Sequence, residues 1–111
     1  MEITISKDNN ILVTNLSGKL NSTTVTKLEE SLRQHTSPPL SHLVLNCQDL
    51  EYISSAGLRI VLSLTKTFAK TDWHFTICCL QEHVLEVFEM SGFDSLVTIK
   101  TSQEEAKEKL S

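Results

Sequence analysis

The chain has 111 residues and a net charge of −4, from ten Lys and Arg against fourteen Asp and Glu. That length implies one domain spanning 1–111, with enough apolar surface to fold without staples; the acidic balance, lacking any run of three basic residues, argues against nucleic acid as a partner. No apolar run approaches the ~20 residues needed to cross a bilayer, and the opening "MEITISKDNN" lacks the basic and apolar regions of a signal peptide, so the protein reads as cytosolic with no membrane partner.

Met1 to Lys7 alternates as a strand does, and "KDNN" (Lys7–Asn10) is a turn signal, because Asp and Asn tolerate turn geometry. "ILVTNLSG" reads as a second strand ending at Gly18, so the two form a hairpin. "NSTTVTKLEESLRQHT" opens with capping residues and places Val25, Leu28 and Leu32 on one helical face. "SPP" ends that helix, since proline cannot continue it.

"LSHLVLNC" is a short apolar segment rich in branched residues, as a strand buried on both faces requires. From Ser55 the pattern turns helical, with Leu58, Val61, Leu62, Thr65, Phe68 and Ala69 at spacings of three and four. "DWHFTICCL" is the next strand. "EHVLEVFEMSG" is a helix with Val84, Leu85 and Phe88 inward, closed by Gly92. "LVTIK" is a short last strand, and "SQEEAKEKLS" a terminal helix with Ser102 as its cap and acids in its first turn.

The order is thus β-β-α-β-α-β-α-β-α. Helices alternating with strands after an opening hairpin predict an α/β fold: a mixed, mostly parallel sheet of about five strands with about four helices, joined by right-handed crossovers.

Three cysteines, two of them adjacent, make a poor disulfide framework. Cys78 and Cys79, as neighbours on a strand, point to opposite faces, so free thiols are expected. No CxxC, glycine-rich phosphate loop or three-ligand metal spacing occurs; neither a metal nor a cofactor is expected. His83 and Glu86 share a helix face but lack a third ligand and read as solvated.

The segment "ISSAG" carries the candidate chemistry. It sits where the "LVLNC" strand region hands over to the next helix, the edge at which open α/β sheets place their ligands. A serine there can cap the helix by accepting a backbone N–H. It can also accept a phosphate, whose charge of about −1.5 to −2 suits the positive end of the helix. Ser55 directly precedes the helical periodicity, so its side chain is expected among the free N–H groups of the first turn. A hydrolase is disfavoured: no glycine two residues before the serine forms a nucleophile elbow, and no local spacing ties a histidine to it.

The chain resembles the STAS domain, most closely the stand-alone bacterial anti-sigma-factor antagonists. The resemblance is carried by "LSGKLN" (Leu16–Asn21), "HLVLNCQDLEYISSAGLRIVL" (His42–Leu62) and "VFEMSGFDSL" (Val87–Leu96) in order. It implies the STAS fold and a function of binding, not catalysis. The unmodified protein binds an anti-sigma factor that is also a serine kinase, which releases a sigma factor. The kinase phosphorylates the serine two residues before the motif glycine, here Ser55, and binding is lost; a phosphoserine phosphatase restores it.

Two positions depart from the pattern. Ser54 stands where the family commonly has an acid, leaving Ser54 as the alternative acceptor, and Asn21 stands where an acid often follows the second strand. The expected partner-binding residues are Asn21, Ser54, Ser55, Gly57 and Arg59, with Gly57 admitting a close backbone. The alternative is a regulatory STAS subunit of a transport or stress-signalling complex without a phosphoswitch.

Overall fold

The structure is a computed structural model that describes residues 1–108 and 110. Five strands form one sheet in the order β1-β2-β3-β4-β5: Glu2–Asp8, Ile11–Leu20, His42–Ile53, Phe75–Cys78 and Thr98–Lys100. β1 and β2 pair antiparallel; the other pairings are parallel. The helices are α1 (Val25–Thr36), α2 (Ser55–Ala69), α3 (Glu82–Ser91) and α4 (Gln103–Lys107). The mixed, mostly parallel sheet and the element order agree with the sequence pattern. Asn9 makes the hairpin turn at a φ of 56°, a conformation Asn tolerates.

Strand alternation divides the core between two faces. Leu12, Leu16, Leu43, Leu45 and Ile77 meet α1, α2 and α3 through Leu28, Leu32, Leu58, Val61, Val84 and Phe88. Ile11, Val13, Val44 and Cys78 point the other way, under α4, where Ala106 and Leu110 cover them. α4 starts as expected: Ser102 Oγ accepts the Glu105 N–H (3.1 Å), and Glu105 Oε1 accepts the Thr101 N–H (3.1 Å). α3 closes on Gly92, at a φ of 79°.

Several local expectations are corrected. β3 runs to Ile53, well past the apolar run that marked it, while β4 ends at Cys78 and pairs with β3 only from Leu43 to Asn46. The inward stripe of α2 is Gly57, Leu58, Val61, Leu64 and Phe68; Leu62 and Thr65 are half-buried at its margin and Ala69 is exposed. All three thiols are free. Cys79, however, lies beyond β4 at a φ of 65°, and it packs against the same cluster as Cys78 rather than on the opposite face.

Candidate functional site: the carboxyl edge of β2 and β3

β2 and β3 end together, with Leu20 opposite Ile53, and the Ser54 N–H donates to the Leu20 carbonyl at 2.9 Å. Each chain then turns into a helix. After β2, Asn21 makes the turn: its Oδ1 accepts the N–H groups of Thr23 (2.9 Å) and Thr24 (3.1 Å). Thr24 Oγ1 accepts the Asn21 N–H (2.9 Å) and donates to the Lys19 carbonyl (2.7 Å). The first helix is therefore set by Asn21 and Thr24 reciprocally. Asn21 and Ser54 directly follow the paired residues Leu20 and Ile53, so the two lie at the same end of the sheet.

After β3, extended Ser54 (ψ 175°) is the N-cap of α2, and its Oγ accepts the Gly57 N–H at 3.3 Å. The sequence pattern places Ser55 among the free N–H groups of the first turn, but it is Ser54 that caps them. Ser55 is instead the first helical residue, exposed, and its hydroxyl makes no hydrogen bond among the described residues. The two adjacent hydroxyls thus differ in use: one satisfies an orphan donor of the helix, the other faces water.

Gly57 is buried, and a Cβ there would come within 2.7 Å of Ile53 Cγ1, 3.0 Å of Leu20 Cγ and 3.1 Å of the Leu20 carbonyl. A backbone does approach closely, but it belongs to β2 of this chain. The glycine is needed for packing α2 onto the strand ends, and its role at the edge is to place Ser54 and Ser55. Arg59 lies one turn beyond Ser55 on the same helix face. It is exposed, and it has no ion-pair partner among the described residues, where only Lys107 and Asp8 pair. Tyr52, 48% exposed, lies on the strand just before the serines.

No imidazole hydrogen-bonds either serine among the described residues; Ser54 Oγ is met by a backbone amide. Among those residues no three His, Cys, Asp or Glu side chains come together as a metal site. The two buried thiols, Cys47 and Cys78, are poor nucleophiles at neutral pH. Burial pushes Cys78 up to about 12, reinforced by its hydrogen bond to Cys79, and burial raises Cys47 as well. Cavities of about 490 and 550 Å³ lie against α4, lined by neither serine. At this edge Ser55, Arg59 and Tyr52 are exposed. Two contributors were invisible to local spacing: Gln81 Nε2 donates to the Gln48 carbonyl (2.8 Å), and His83 Nε2 to the Glu51 carbonyl (2.6 Å).

The fold agrees with comparison to known proteins. The family model of the STAS domain matches residues 2–106, and the chain belongs to that family. A relative from Bordetella bronchiseptica, provisionally named anti-sigma factor antagonist BtrV, is 38% identical over 106 residues, covering 96% of this chain and 91% of that protein. Among solved structures, a provisionally assigned anti-sigma factor antagonist of Thermotoga maritima superposes with a TM-score of 0.90 at 17% identity, over 97% of this chain and 93% of that one. SpoIIAA, described as an anti-sigma factor antagonist, matches in its unphosphorylated form (TM-score 0.79, 18% identity, 95% and 92% coverage). Its phosphorylated form, from Bacillus, matches at 0.74 (16% identity, 99% and 100% coverage). At these identities the solved structures establish the shared fold. No helix among the described residues is long and apolar enough to cross a membrane.

Proposed function

We propose that this chain is an anti-sigma-factor antagonist acting by partner switching. Unphosphorylated, it binds an anti-sigma factor that is also a serine kinase and so releases a sigma factor. Phosphorylation of Ser55 ends that binding, and a phosphoserine phosphatase restores it. The protein acts by binding in the cytosol, and it needs no cofactor.

The carrying observation is the division of labour between the serines: Ser54 is engaged as the cap of α2, while Ser55 is exposed and uncommitted. A phosphate on Ser55 would stand at the positive end of α2 with Arg59 one turn away, a favourable setting for about −1.5 to −2 charges. The fold therefore tolerates the modification, and its effect falls on whatever docks at the edge. SpoIIAA, solved in both phosphorylation states, supports the same reading, as does the named function of the Bordetella relative. The partner surface comprises Asn21, Ser54, Ser55 and Arg59, with Gly57 beneath it.

The test is an in vitro reaction with the anti-sigma-factor kinase from the same cells, read by mass spectrometry on wild type, Ser54→Ala and Ser55→Ala. Wild type and Ser54→Ala take up one phosphate and Ser55→Ala none; Ser55→Asp no longer binds the kinase. Labelling of Ser55→Ala but not of Ser54→Ala would reassign the acceptor. An unlabelled wild type would remove the phosphoswitch.

A further inference from the structure

β3 outruns its neighbour. Beyond Asn46 no strand pairs with it on the β4 side among the described residues, because β4 stops at Cys78. The stretch from Cys47 to Ile53 is therefore held in the sheet by β2 alone. Such a one-sided strand end leaves backbone carbonyls open, and it frays more readily than a strand paired on both sides. Yet this stretch delivers Ser54 and Ser55 to the edge.

The missing strand is replaced by side chains. The left-handed Cys79 takes the chain out of β4, and α3 begins three residues later at Glu82. Gln81 is the N-cap of α3, but its side chain makes no capping bond; it reaches across to the Gln48 carbonyl at 2.8 Å. His83, in the first turn, donates from Nε2 to the Glu51 carbonyl at 2.6 Å. α3 is itself anchored by Val84 and Phe88, each 1% exposed. The two donors thus project from a fixed base onto the strand end. His83 and the side chains of Gln48, Asp49 and Glu51 are exposed, and only Leu50 of this stretch joins the hydrophobic cluster, so packing at Leu50 alone does not bring His83 and Gln81 onto the strand.

We propose that Gln81 and His83 are positioning residues for the Ser54–Ser55 edge: they stand in for the absent strand, hold the end of β3 against α3, and so fix the partner-binding surface. The partner-binding part rests on the function proposed above; the clamp itself does not. A carbonyl acceptor requires Nε2 to carry the proton, as it does in the Nε2–H tautomer of the neutral ring and in the cation, so the clamp works in either charge state. What it requires is a donor at that point. Glutamine at position 83 can place an amide N–H near the position of Nε2, whereas alanine supplies none.

The experiment has two arms. In the first, amide hydrogen exchange is followed by NMR on the isolated full chain for wild type, Gln81→Ala/His83→Ala and Gln81→Ala/His83→Gln. In the double alanine variant the amides from Asp49 to Gly57 exchange about tenfold faster, as loss of about 1.4 kcal/mol of local stability gives. The amides of Val44 and Leu45 keep their wild-type rates, and His83→Gln recovers part of the protection. Unchanged rates at the edge, equal acceleration throughout the chain, or no recovery with glutamine would each overturn the clamp. In the second arm, the same variants bind the anti-sigma factor several-fold more weakly, with glutamine again restoring. A loosened edge with undiminished binding would overturn the positioning role. A wild type that binds no anti-sigma factor, with exchange as expected, would sink the partner-switch reading and leave the clamp standing.

Discussion

The two ends of β3 both carry polar and aromatic side chains, but the fold uses them differently. At its amino end, His42 is buried: its Nδ1 accepts the His74 N–H (2.9 Å), and its ring stacks on His74 (5.4 Å between centroids) and meets Trp73 edge-on (5.0 Å). Its backbone N–H is bonded to the Asn10 carbonyl. The His42 ring is thus consumed by the fold, while His74 contributes its backbone N–H and the stacking face of its exposed ring. At the carboxyl end only Ser54 is consumed; Ser55, Arg59 and Tyr52 face water. Residue type alone would have favoured the histidines as the functional end. What separates structure from function is whether each polar group already has a partner.

The sharpest way to break that contrast is at Gly57. Glycine to alanine inside a helix normally stabilises by about 1 kcal/mol. Here the sign reverses, because the added Cβ meets Ile53 and the Leu20 backbone. Gly57→Ala is expected to lose about 1–3 kcal/mol through overpacking, measured by urea unfolding. A variant as stable as wild type would show that α2 can lift off the strand ends without cost.

The serines come next. Ser54→Ala removes the cap bond and should cost about 1 kcal/mol. Ser55→Ala, at an exposed position, should change stability by less than about 0.5 kcal/mol. Equal losses, or the larger one at Ser55, would contradict the assignment of the cap.

Much of this was legible in the sequence, and the failures have causes. The strand β1, the turn at Lys7–Asn10, the Gly92 stop and the Ser102 cap rest on local rules and appear, although the alternation of β1 does not become alternate burial: Ile3 is half-buried and Ile5 exposed. The end of β3 was missed because Gln48 and Asp49 break the apolar run, and because the pairing there shifts register between Asn15 and Ser17 and again between Gly18 and Lys19. Alternation cannot be read through such irregularities. The predicted stripe of α2 is displaced to one side, taking in Leu62 and omitting Leu64, because the two are equally apolar and only packing tells them apart. Which serine caps α2 was not legible, because two adjacent serines offer the same chemistry; backbone geometry decides between them. Gln81 and His83 left no local signal, since their acceptors lie 33 and 32 residues away.

The amino end offers a test of the opposite kind. Burial, then the nearby His74, holds His42 below the ordinary histidine value. A lowered native pKa means that the unfolded chain takes up the proton first, near pH 6.5. This contribution to stability is therefore full above pH 6.5 and lost as pH falls through the native value, where a protonated Nδ1 can no longer accept the His74 N–H. Urea midpoints between pH 7.5 and 5.5 should decline more steeply for wild type than for His42→Asn, which does not titrate. Parallel profiles would remove His42 as the source.

The smallest effect on the fold is expected at Arg59, and for that reason it discriminates best. The side chain is exposed and unpaired among the described residues, one turn from Ser55. Arg59→Glu should shift the unfolding free energy by less than about 0.5 kcal/mol, as exposed changes do. If the carboxyl edge is the docking surface, the same change places an acid where the partner meets a cation. Such a reversal at the rim of an interface acts mainly on the association rate and its salt dependence. Association with the anti-sigma factor, followed by surface plasmon resonance at two ionic strengths, should slow several-fold at low salt and less at high salt. A loss of stability above about 1 kcal/mol would make Arg59 a structural residue. Unchanged binding with unchanged stability would place the partner elsewhere on the edge, toward Asn21 and Tyr52.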